Sequence, residues 1–83
     1  MNKDVKLKYL VQAERHMADG EQHILRQRAI VAQLERDGRD ASLSRSLLQC
    51  FEDLQRLHIA DFHRLLEELA ADSATMDRNV RTA

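Results

Sequence analysis

The fold of this chain is decided by residues 34–42, which read Leu-Glu-Arg-Asp-Gly-Arg-Asp-Ala-Ser. Gly38 lies between two long segments of helical periodicity and is one of only 2 glycines in 83 residues. Glycine readily adopts the left-handed backbone conformation that ends many helices, because it has no Cβ. The stretch therefore predicts a turn at residues 38–40 that joins two helices into an antiparallel hairpin.

The first segment has the composition of a long helix. The chain contains no proline, and leucine, alanine, arginine, glutamate and glutamine are abundant, which are the residues that helices favour. We expect a first helix over about 4–37. Asn2 or Asp4 can cap its start, since a short side-chain acceptor satisfies free backbone N–H groups there.

The second segment predicts a helix over about 41–71, with Asp40 or Ser42 at its start. Together the two helices form one domain at residues 1–71. The apolar period is lost beyond this point, and residues 72–83 are rich in Ser, Thr, Asp and Asn. We therefore expect these residues to form a flexible C-terminal tail.

The first segment follows a heptad repeat, which is typical of a coiled coil. Its two main rows are Leu10, Met17, Ile24, Val31 and Ala13, Gly20, Gln27, Leu34. A third row beside them contains Tyr9, His16, His23 and Ile30. This stripe is wider than a two-stranded seam requires, so it indicates contact with more than one helix.

The second segment has a different period. Apolar residues and one histidine recur at 4-3-4 spacing, an eleven-residue period that favours nearly straight packing. The stripe comprises Leu47, Phe51, Leu54, His58, Phe62, Leu65 and Leu69. Leu48 and Ile59 lie off its centre, and their exposure would indicate an outside partner.

A lone hairpin covers each stripe only in part, and a domain of this size is marginal unless it associates. We therefore expect an all-α hairpin that dimerises into a four-helix bundle. The residues predicted to form the core and interface are Leu10, Met17, Gly20, Ile24, Val31, Leu47, Phe51, Leu54, His58, Phe62, Leu65 and Leu69.

The register of the hairpin places Gly20 opposite His58 when positions are counted outward from the turn. A glycine inside a helix costs about 1 kcal/mol relative to alanine. Two explanations stay open: Gly20 makes room for the imidazole, or a small residue merely tolerates the helix crossing.

Charge and cysteine content exclude several classes. The net charge of −1 argues against a nucleic-acid binder, which needs a basic face. No stretch approaches the roughly 18 apolar residues of a membrane span. The single cysteine, Cys50, excludes an internal disulfide and fits a reducing compartment. We expect a cytoplasmic protein that binds neither nucleic acid nor membrane.

The histidines are the only candidates for site chemistry. His16 and His58 lie near the same level of the predicted hairpin, and Asp61 follows one turn after His58. Imidazoles and carboxylates that converge inside a bundle can hold a metal. The Glu-x-x-His motif of di-iron bundles is absent, however. The expectation is no metal site, with these three residues as candidate ligands of a metal- or pH-responsive bundle.

The sequence contains no recognisable catalytic arrangement. Cys50 has no histidine or cationic residue within one helical turn, so a buried structural thiol is expected rather than a nucleophile. No Ser/His/Asp grouping or Gly-rich phosphate loop is present. We therefore expect no enzymatic activity and no cofactor.

Several segments between Ala13 and Leu69 resemble short helical-hairpin proteins of rhizobia and related alphaproteobacteria. The resemblance rests on Ala13-Glu14-Arg15-His16, on Gly20-Glu21 with His23, and on Leu34-Glu35-Arg36-Asp37-Gly38. Leu43 departs from the group, in which an acidic capping-box residue is common at this position. The resemblance implies a cytoplasmic all-α hairpin and no particular activity.

These observations predict a small, non-enzymatic interaction or scaffolding module that self-associates through its apolar stripes. The alternative is one half of a hetero-complex, in which the stripe binds the helices of another protein. A constant dimer mass would favour the first possibility, and a monomer would favour the second.

Overall fold

The computed structural model describes the backbone of residues 2–82 and the side chains of residues 2–74. Helix α1 spans Lys3–Arg36 and helix α2 spans Ser42–Thr82, and the described residues contain no strand. The two helices run antiparallel, since Lys6 contacts Asp72 at one end and Gln27 contacts Ser44 at the other. The rod measures 70 × 16 × 14 Å. The predicted all-α hairpin is confirmed.

The turn closes around Gly38, as the sequence predicts. Gly38 has a φ of 67°, in the left-handed region. Its N–H donates to the carbonyl of Glu35 at 3.1 Å, and the N–H of Arg39 donates to the carbonyl of Leu34 at 2.9 Å. This pair of bonds is the Schellman arrangement, which satisfies the last carbonyls of α1.

Each helix begins at a side-chain acceptor. The side chain of Asn2 accepts a hydrogen bond from the N–H of Val5 at 2.9 Å. At the start of α2, Oδ1 of Asp40 accepts from the N–H of Ser42 at 2.9 Å and from its hydroxyl at 2.6 Å. These bonds from Ser42, helped by the charge of Arg45, lower the pKa of the Asp40 carboxyl. The acceptor roles expected for Asn2 and Asp40 are confirmed.

Helix α2 is longer than the sequence predicts. We expected it to end near Ala71, but it continues to Thr82. The segment after Ala71 loses its apolar period but contains no glycine or proline. Nothing in its backbone chemistry therefore stops the helix. The flexibility of residues 72–83 stays a prediction.

The α1 side of the seam is the predicted heptad. Every position of the two main rows is buried or half-buried, whereas the third row, containing Tyr9 and Ile30, is exposed. The rows that pack against α2 are Leu10, Met17, Ile24, Val31 and Ala13, Gly20, Gln27, Leu34.

The α2 side of the seam also follows a heptad, and the predicted eleven-residue period is wrong. The buried or half-buried positions with 3-4 spacing are Ser44, Leu48, Phe51, Gln55, His58, Phe62, Leu65, Leu69 and Asp72. Leu48 therefore lies within the seam. Leu47 and Leu54, which we expected at its centre, lie on the flanking row and are 45% and 48% exposed.

Two glutamines, one buried and one half-buried, link the helices through main-chain carbonyls. Nε2 of Gln27, which is 6% exposed, donates to the carbonyl of Ser44 at 3.0 Å. Nε2 of Gln55 donates to the carbonyl of Met17 at 2.8 Å. A buried amide that loses its partner is costly, so these bonds favour one register of the hairpin.

Gly20 makes room for Gln55, and the predicted pairing with His58 is wrong. A Cβ at Gly20 would lie 2.0 Å from Oε1 of Gln55. The observed register differs from the predicted one by about one helical turn at this level. His58 lines the same groove as Gly20 but is not the residue that requires the missing side chain.

Candidate interaction surface

A row of exposed apolar side chains runs along the first half of α2. It repeats the 4-3-4-3 spacing of a helix-packing seam. We call it the leucine stripe, and it consists of Leu43, Leu47, Cys50, Leu54 and Leu57. Among its leucines the end members are the most exposed, with Leu43 at 84% and Leu57 at 66%. These leucines form a regularly spaced apolar surface that the hairpin does not cover by itself.

The leucine stripe lies on a different side of α2 from the seam with α1. A heptad repeat places it roughly 100° around α2 from the side that packs on α1. Each helix of a four-helix bundle has two neighbours, roughly at right angles around its axis. The leucine stripe therefore lies on the side of α2 where the second neighbouring helix of such a bundle would pack.

The neighbouring side of α1 supplies the third row, with Tyr9, His16, His23 and Ile30. Between this row and the leucine stripe lies a groove of about 200 Å³. Leu54 and Phe51 form its apolar α2 wall, and His16 and His23 form part of its α1 wall. The surface is thus mainly apolar on α2 and carries imidazoles on α1.

The histidines meet each other or aromatic rings across the groove. The rings of His16 and His58 have centroids 5.3 Å apart, and the rings of His23 and Phe51 have centroids 5.6 Å apart. Among the described residues, Nδ1 of His58 and Oε1 of Gln55 are buried without a hydrogen-bond partner. Two of the three candidate metal ligands, His16 and His58, are therefore adjacent.

The third candidate ligand, Asp61, is held by an arginine. Its carboxylate accepts a hydrogen bond from Arg64, which also donates to Glu68 at 3.1 Å. These bonds raise the pKa of the Arg64 guanidinium above its usual value. No group of three or more metal-binding side chains exists within residues whose side chains are described. A metal- or pH-responsive role for His16, His58 and Asp61 stays a prediction.

On the opposite flank of the hairpin, ion pairs near the turn connect α1 to α2. Arg45 contacts Glu35 at 3.0 Å and Arg28 contacts Glu52 at 3.7 Å. Leu66 lies on the same row of α2 as Glu52, two heptads further on, and is 45% exposed. This flank has no continuous leucine row in the half that carries the leucine stripe.

Cys50 is exposed, and the expectation of a buried thiol is wrong. It lies within the leucine stripe rather than the seam. The spacing of Leu43, Leu47, Leu54 and Leu57 around it is visible in the sequence. Hydrophobicity alone does not separate this row from the seam, because strongly apolar residues occur in both rows.

Within the described residues, neither helix contains a stretch long and apolar enough to cross a membrane.

Comparison with protein-family models, curated proteins and solved structures finds no match for this chain. The resemblance to the rhizobial hairpins therefore stays a prediction.

Proposed function

We propose that this protein is a small helical interaction module without enzymatic activity, which self-associates as a dimer through its exposed apolar flank. The observation that carries the proposal is the leucine stripe. Four leucines repeat at helix-packing intervals, and the hairpin leaves each of them between 45% and 84% exposed.

Self-association is supported by the energetics of these side chains. Full burial of one leucine contributes roughly 1.5–3 kcal/mol relative to full exposure. A domain of 83 residues buries too little of its own surface to be more than marginally stable. Covering the leucine stripe would therefore add a substantial fraction of the total free energy of unfolding.

The stripe itself offers no electrostatic opposition to a second copy. It contains four leucines and one cysteine, with no charged residue between Leu43 and Leu57 in its two rows. Like charges that face each other across an interface weaken association, and the rows of the stripe bring no such charges together. We place this association in the cytoplasm, where an exposed thiol such as Cys50 stays reduced.

The deciding experiment is solution molar mass by light scattering after size exclusion, over a hundredfold range of concentration. The proposal predicts a dimer at high concentration. If dilution produces monomer, the dimer should return as the concentration is raised. A monomer at every concentration would contradict it. That result would favour the hetero-complex, in which helices of another protein cover the same leucines, and the exposed stripe is the observation that supports this alternative.

A further inference from the structure

We infer that the second copy docks stripe on stripe, with the two α2 helices antiparallel and Cys50 of each copy at the twofold axis. The inference rests on the self-association proposed above and specifies its geometry. Three features carry it: the near-symmetry of the leucine stripe, the charges beyond its end, and the length over which it extends.

The ends of the leucine stripe are equidistant from Cys50, because Leu43 lies seven residues before it and Leu57 lies seven residues after it. Leu47 and Leu54 lie three residues before and four residues after Cys50, so the stripe is symmetric to within one residue. Two copies that overlap completely in the antiparallel sense place Leu43 opposite Leu57 of the other copy and Leu47 within one residue of Leu54. The midpoint then meets itself, as the central residue of an isologous interface must.

Charges in the second half of α2 oppose the parallel arrangement. The two rows of the stripe continue into Asp61, Arg64 and Glu68, which are exposed or half-buried. A parallel pair in register would bring each of these residues against its own copy, and like charges at an interface are unfavourable. The antiparallel pair centred on Cys50 leaves all three beyond the leucines of the other copy.

The length of the stripe predicts a reversible dimer. Residues 43–57 extend about 22 Å along the helix axis at 1.5 Å per residue. With a hairpin width of 16 Å, the overlapping faces measure on the order of 400 Å² per copy, which is below the roughly 800 Å² of a standard stable interface. The two copies therefore contact each other only along the half of each hairpin that is nearest the turn.

Oxidative cross-linking tests this geometry in the 83-residue chain, because Cys50 is its only cysteine. With copper phenanthroline as oxidant, the wild type should form a disulfide-linked dimer at concentrations where light scattering shows association. Leu47→Glu keeps Cys50 but disrupts the stripe, so it serves as the control for random collision and should not cross-link.

Single-cysteine variants in a Cys50→Ala background determine whether the two α2 helices run parallel or antiparallel. Leu43→Cys alone should not cross-link, because two copies of residue 43 would be about 21 Å apart along the axis, far beyond the 7 Å that a disulfide spans. An equimolar mixture of the Leu43→Cys and Leu57→Cys variants should cross-link to each other. Leu43 is 84% exposed, so its replacement leaves the hairpin intact.

Each outcome is decisive. Cross-links at Cys50 and between residues 43 and 57 support the inference. Efficient cross-linking of Leu43→Cys with itself indicates parallel helices, and a dimer that never links through Cys50 indicates another face. Both of these results overturn the geometry while self-association stands. A monomer at every concentration overturns both proposals and leaves the stripe to helices of another protein.

Discussion

Replacing Gly20 by alanine tests whether the amide of Gln55 determines the residue at this position. Alanine is favoured over glycine inside a helix by about 1 kcal/mol. In this hairpin, however, the new Cβ would lie 2.0 Å from Oε1 of Gln55. The amide must therefore move away and lose its 2.8 Å bond to the carbonyl of Met17.

The two effects are of similar size and opposite sign. A neutral hydrogen bond contributes about 0.5–1.5 kcal/mol net. The displaced amide can reach solvent from the groove, so the helix-propensity gain and the lost bond should nearly cancel. We expect Gly20→Ala to change the free energy of unfolding by less than about 0.5 kcal/mol. In a Gln55→Ala background nothing opposes the new Cβ, and the same change should stabilise by about 1 kcal/mol.

The assay is urea unfolding followed by circular dichroism, at a concentration where light scattering shows one species. The double-mutant cycle of Gly20→Ala and Gln55→Ala should give a coupling energy of about 1 kcal/mol, or roughly 4–8 °C in Tm for a domain of this size. Gln49→Ala is the matched control, because Gln49 bonds to Asp53 on its own helix. Equal stabilisation by Gly20→Ala in all three backgrounds would refute the reasoning.

Four further predictions concern the interface, the core, the turn and the helix start. Leu47→Glu should convert the proposed dimer to a monomer of unchanged helicity, whereas Leu66→Glu, equally exposed at 45% but on the other flank, should not; light scattering and circular dichroism measure both. Leu65→Ala removes a side chain that is 2% exposed and should cost about 2–5 kcal/mol in urea unfolding; a smaller loss would place the core elsewhere. Gly38→Ala should cost about 1–2 kcal/mol, because alanine is strained at a left-handed φ, and an unchanged urea midpoint would contradict this. The carboxyl pKa of Asp40 is below the ordinary 3.8 in the folded chain, so its stabilisation is complete above pH 3.8 and is lost as the pH falls through the lower, folded value; the difference in urea midpoint between wild type and Asp40→Ala should shrink in that acidic window, and a constant difference would argue against the carboxylate.

The turn and the α1 side of the seam could be predicted from the sequence because single residues determine them. Gly38 is the only glycine near the middle of the chain, and it adopts the left-handed conformation. In α1 the row with the largest apolar side chains, Leu10, Met17, Ile24 and Val31, lies beside the row that contains the small residues Ala13 and Gly20. Periodicity alone then specifies the packed side.

The α2 side could be predicted only in part, because this helix carries two stripes. Phe51, Phe62 and Leu65 lie in the seam, but Leu47 and Leu54 lie on the exposed row. The true seam includes Ser44 and Gln55, whose polarity hides it from an analysis of hydrophobicity. What makes Gln55 acceptable there is a bond to a main-chain carbonyl, which no periodicity reveals.

The two glutamine bonds also affect how the sequence can change over time. Each amide holds the other helix by a carbonyl of the main chain, so the bond does not depend on the identity of the residue that it reaches. Both hydrogen bonds can therefore survive a change of side chain at Ser44 or Met17, provided that position 17 stays apolar for the seam. Related chains could then differ at the positions whose carbonyls accept these bonds and still fold in the same register, provided that Gln27, Gln55 and Gly20 are kept.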